Sequence, residues 1–168
     1  FEKTLVATCS NWTGVHTMEN SAYEFHDEKW GNILLLTFEF APRDEVLEWA
    51  KTLVASERFK KHRVIVLTHS WLNNKGERLK KSNYTLAPCN EPEDVWQKLI
   101  YPSENIVLVL SGHAGQAPEI KESVAATDYS PTSSFRVDKA ANGREVFQMM
   151  FNSQQGDGDW NGKGGDCW

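Results

Sequence analysis

Apolar and polar positions alternate along this chain with two different periods. "NILLLTFEF" (32–40), "HRVIVLTHS" (62–70) and "NIVLVLSGH" (105–113) are near-continuous apolar runs of strand length. Runs of that kind predict strands covered on both faces. "SAYEFHDE" (21–28) alternates aromatic and polar residues, as a half-buried strand does. Between the first two apolar runs, "APRDEVLEWAKTLVASE" (41–57) switches to a helical period. Pro42 stands near its first turn, acids gather at its start, and Val46, Leu47, Ala50 and Leu53 form a stripe. "EDVWQKLIY" (93–101) predicts a second, short amphipathic helix. "SSFRVDKA" and "REVFQMMFNSQQ" flank Asn142-Gly143, the signal of a tight antiparallel hairpin. Residues 1–20, mixed and polar around "NWTG", read as loop. The polar excursion over 71–92 also reads as loop, of a length that is often functional. Strand, helix, strand, helix, strand and hairpin in that order predict an α/β fold: a mixed β-sheet or sandwich with flanking helices, in a single domain over 1–168.

Composition narrows the function classes. A net charge of −5 argues against a nucleic-acid surface, which wants clustered Lys and Arg. The one basic cluster, "KGERLKK" (75–81), has acids nearby and reads as a solvated loop. No apolar run reaches the roughly 18 residues a membrane span needs. Cys9, Cys89 and Cys167 make neither a CxxC pair nor a zinc spacing, so no disulfide framework or structural metal site is indicated. Asn11-Trp12-Thr13 and Asn83-Tyr84-Thr85 fit the N-glycosylation pattern, a short match that also arises by chance.

Two of the apolar runs end in histidine, at His69 and His113. If those strands are parallel neighbours, both imidazoles emerge at one sheet edge, the edge where α/β folds gather function. Imidazole is the usual neutral-pH acid/base and a common ligand for zinc, iron or manganese. Gly112 would let the backbone turn sharply or approach an ion before His113. One histidine alone more simply caps a strand; two at matching positions leave a cap and a site evenly balanced, and spacing goes no further. Arg43 could pair with Glu39 or hold a substrate phosphate, and Arg78 could do the latter, because a guanidinium fork fits phosphate. Asp44 suits a helix start. "DGDWNG" (157–162) opens like a calcium loop, but its twelfth position is Trp168 rather than Glu, so it reads as a turn. Ser70 lacks the G-x-S-x-G elbow of a serine hydrolase. His16, His26 and His62 read as surface or structural. Trp12, Trp30, Trp71, Trp160 and Trp168 raise a second class, a non-catalytic module that stacks ligands on aromatic loops.

"VIVLTHSWLN" followed by "NIVLVLSGHAG" resembles the later half of a calcineurin-like metallophosphoesterase, where one strand ends in a metal-binding His and a later one in Gly-His-x-His. The likeness extends back to "MENSAYEF…NILLLTFEFAPRDEVLEWAKTLV" and on to "VFQMMFNSQQ…GGDCW". It implies the C-terminal portion of an αββα sandwich and phosphoester hydrolysis at a two-metal centre of Mn, Fe or Zn, with His69 and His113 on the same ion. It also implies a phosphoester substrate, with the 71–92 loop at the substrate rim. Gly115 stands where the pattern wants a second imidazole. The family's Asp-x-His, Gly-Asp-x-x-Asp and Gly-Asn-His-Asp/Glu motifs are absent, so the expectation is an incomplete domain that is inactive or nearly so in isolation.

Overall fold

The computed structural model describes residues 4–81, 88–113 and 133–152. Seven strands form one mixed sheet: β1 (Leu5–Ser10), β2 (His16–Asp27), β3 (Gly31–Thr37), β4 (Arg63–Ser70), β5 (Ile106–Gly112), β6 (Ser133–Lys139) and β7 (Glu145–Phe151). Their order across the sheet is β1-β2-β3-β4-β5-β7-β6. The centre, β3, β4, β5 and β7, is parallel, while β1, β2 and β6 run antiparallel to their neighbours. Helix α1 (Asp44–Ala55) crosses from β3 to β4, and α2 (Pro92–Val95) continues into a π-helical turn over Trp96–Ile100 before β5.

Within the stretch 1–20 that polarity predicts to be loop, the described residues 4–20 are not loop but form most of a strand pair. β1 pairs with β2 through a turn in which Asn11 Oδ1 accepts from the Thr13 and Val15 amides and Gly14 takes φ +79°. β1 is an edge strand and every one of its residues is half-buried, so its sequence carries none of the apolar–polar contrast that marks a strand. The second predicted helix forms, but its latter half widens to a π turn, with Tyr101 N–H donating to Trp96 O at 2.8 Å.

The strands' alternation explains the layering. Leu34, Leu36, Val64, Val66, Ile106 and Val109 point to one face and are fully buried. They pack against Val46, Leu47, Ala50 and Val54 of α1 and against Val95, Trp96, Leu99 and Ile100. The acids Asp44 and Glu45 at the start of α1 favour its positive end. Register places Phe25, Ile33, Leu35, Ile65, Leu67, Leu108, Leu110, Phe147, Met149, Phe135 and Val137 together on the opposite face. The predicted cover on both faces is therefore half realised among the described residues: Phe135 remains 56% exposed, Met149 46% and Leu67 42%. No helix of the described residues is long and apolar enough to cross a membrane.

Candidate functional site

The four parallel strands β3, β4, β5 and β7 all end at one edge, and that edge carries the histidines. His69 is the next-to-last residue of β4, and His113 follows β5 directly. Between the Leu67–Leu110 and Ser70–Gly112 pairs the ladder slips, three steps on β4 facing two on β5. A bulge of this kind re-aims a side chain at a strand tip. The result brings His69 Nε2 within 3.0 Å of His113 Nδ1, with ring centroids 4.5 Å apart.

Two structural details hold the rings. Phe40, between β3 and α1, presses edge-on against His69 with centroids 5.3 Å apart and lies 5.8 Å from His113. Among the described residues, only two without a glycine's freedom adopt positive φ: His113 at +61° and Ala41, next to Phe40, at +50°. Each such conformation costs on the order of 1 kcal/mol, and strain of this type gathers where surrounding structure has a use for it. Gly112 is not itself left-handed. It is glycine because β7 passes so close that an added Cβ would lie 3.1 Å from Phe151 O.

Burial first, and the charge of His69 second, hold the His113 imidazole below its ordinary value, which keeps it neutral and able to coordinate at neutral pH. Two nitrogens about 2.1 Å from one divalent ion would lie roughly 3 Å apart at a right angle and roughly 3.4 Å apart at the tetrahedral angle of zinc. The two rings meet in a hydrogen bond, at a spacing that two adjacent ligands of one six-coordinate ion would also have. Among the described residues no third His, Cys, Asp or Glu joins them in a cluster. Gly115, the "DGDWNG" turn, Trp160, Trp168, Cys167 and the Asn83 sequon lie outside the described residues.

The two arginines stand elsewhere, both occupied. Arg43 Nε donates to Glu39 Oε1 at 2.8 Å, Nη1 to Glu45 at 3.0 Å, and Nη2 to the carbonyl of Ser10. Glu39 in turn accepts from Asn20, which is fully buried. This cluster shapes the β3–α1 turn that carries Phe40, and it borders an open cleft of about 580 Å³ with Trp12, Asp44 and Cys89. Arg78 is not a solvated loop residue. Its Nε donates to Glu93 at 2.8 Å, its Nη1 to Asp138 and, at 3.1 Å, to Gln148, and its guanidinium lies 4.2 Å over Trp96.

Asp138 shows what that cluster is worth. Burial pushes its carboxyl up, but donors on Arg136, Gln148 and Arg78 outweigh it and bring it to about 2. A carboxylate depressed on folding adds stability that is complete above its unfolded value near 4 and disappears as pH falls through about 2; here that is about 2 kcal/mol. Asp138→Asn is therefore expected to be less stable than the wild type at pH 7 and indistinguishable from it near pH 2. Urea unfolding at stepped pH measures the convergence.

Trp71 is 1% exposed and donates its Nε1 to Gln148 at 3.0 Å, so it belongs to the core rather than to an aromatic loop. Trp12 and Trp30 are exposed, but they flank opposite ends of the 12-residue β2, roughly 40 Å of strand apart. They form no common platform. His62 is buried against Phe59 with Nε2 2.9 Å from Glu24, while His16 and His26 bond on the surface to Thr8 and Asn32. Compared with protein-family models and with curated proteins, the chain matches none.

Proposed function

We propose that the chain is the C-terminal part of a metal-dependent phosphoesterase, in which His69 and His113 hold one ion of a two-metal centre. The observation that carries this reading is the 3.0 Å approach of the two ring nitrogens at the tips of adjacent parallel strands. The resemblance of the flanking motifs to calcineurin-like phosphoesterases supplies the reaction class, and the substrate is a phosphoester.

The sheet face that the described residues leave uncovered supports the same reading. His69 projects from the face that holds Ile65 and Leu67, so it sits at the end of the apolar surface that the described residues leave open. A second sheet laid on that surface would complete a sandwich, and carboxylates and amide oxygens brought near the imidazoles would be the further ligands that a hard dimetal pair requires. When bound, the two ions polarise the phosphoryl oxygens and lower the pKa of a water to near neutrality. His69 and His113 place and hold the charge, and Phe40 excludes solvent from one side of both rings.

Calorimetric titration of the chain with Zn²⁺ is expected to show one ion per chain, bound far more weakly than at a complete centre. Nitrophenyl phosphate with excess Mn²⁺ is expected to turn over at background rate. Absence of Zn²⁺ binding would refute the metal reading, and robust turnover would refute the incomplete centre.

A further inference from the structure

We infer that Asn152 is the positioning residue of the imidazole pair: its side-chain amide holds the backbone of His113 in the left-handed conformation that turns its ring onto His69. The sheet register explains how two residues 39 apart in sequence meet. β5 and β7 are parallel neighbours, with Ser111 opposite Met150. Two residues further along each strand stand His113 and Asn152. There Asn152 Nδ2 donates to His113 O at 2.9 Å.

Positive φ such as the +61° of His113 is uncommon for a residue with a Cβ, although histidine takes it more readily than most, and the surrounding contacts favour it here. At this tip the following contacts contribute. The close passage of Phe151 O beside Gly112 fixes where β5 ends, and the Asn152 amide then takes the His113 carbonyl in the direction that the left-handed turn presents it. Asn152 is itself only 5% exposed, so its amide is held in place by the protein rather than shared with solvent. An amide meets the need because it donates; a carboxylate of the same shape would set two acceptors face to face.

The inference rests on the proposed metal site only for what the pair is used for, and ring geometry is measurable without metal. Nuclear Overhauser contacts between the ring protons of His69 and His113 are expected in the wild type and lost in Asn152→Asp. Met150→Ala truncates a fully buried side chain of the same strand and serves as the control: it is expected to lower the melting temperature by more than Asn152→Asp and to keep the inter-ring contacts. Zn²⁺ affinity is expected to fall about tenfold in Asn152→Asp and to stay within twofold in Met150→Ala. Retention of the ring contacts in Asn152→Asp overturns the assignment, as does their loss in Met150→Ala, which would make the effect one of general strand stability. A wild-type chain that shows the ring contacts but binds no Zn²⁺ leaves the positioning role standing and removes the metal reading.

Discussion

Truncating Arg78 to alanine is expected to cost about 3–5 kcal/mol of folding stability, the size of effect seen when one partner of a buried ion pair is removed. The Arg78 side chain is 8% exposed, and its guanidinium ties three parts of the chain together. Its partners are Glu93 in α2, Asp138 near the end of β6 and Gln148 in β7. Alanine leaves the Glu93 carboxylate without its guanidinium and removes the cation stacked on Trp96. Asp138 retains Arg136 of its own strand, with Nε at 2.5 Å and Nη2 at 3.0 Å, and Gln148 of β7, whose Nε2 donates at 2.9 Å, so β6 stays tied to β7. Arg78→Lys should recover little, because an ammonium cannot serve Glu93, Asp138 and Gln148 from one planar fork. Urea unfolding followed by circular dichroism measures both variants. An Arg78→Ala protein within about 0.5 kcal/mol of the wild type would return Arg78 to the loop surface and reopen a substrate-phosphate role for it.

That arginine also shows which features are legible in a sequence. Locally it sits in "KGERLKK" and reads as one more solvated base, since the carboxylates that claim it lie 15 and 60 residues further on. Pairing at such separations is decided by topology, and periodicity carries no trace of it. The same holds for Phe40 and Asn152. Both belong to the candidate site only because β3 and β7 end at the same edge as β4 and β5, and a hairpin signal at Asn142-Gly143 cannot say which of its strands will lie beside β5. The histidines, by contrast, were readable. "VIVLTH" and "VLVLSGH" place an imidazole at each strand tip, and one connecting helix makes the strands parallel. β1 was missed for a further reason: half-buried at every position, it offers no alternation to detect. Gly112 was marked for a sharp turn, yet the turn belongs to His113 and the glycine answers to a neighbouring backbone.

Replacing either His69 or His113 with alanine is expected to lower Zn²⁺ affinity about 100-fold, or about 2.7 kcal/mol. The pattern across the set matters more than the size. Rings 3.0 Å apart at their nearest nitrogens have no room for two independent ions. One ion held by both loses a ligand and the advantage of a preformed pair when either ring is removed, so each single variant should forfeit nearly all of the binding. The double variant should then be at most about tenfold weaker than the singles, a large departure from additivity that marks two groups acting on one target. Separate ions would give another result: each single variant would remove one binding event and leave the other with its affinity unchanged. Calorimetry distinguishes the two by stoichiometry as well as by affinity. A halved stoichiometry with unaltered affinity in either single variant would show that the imidazoles, although adjacent, do not share a cation.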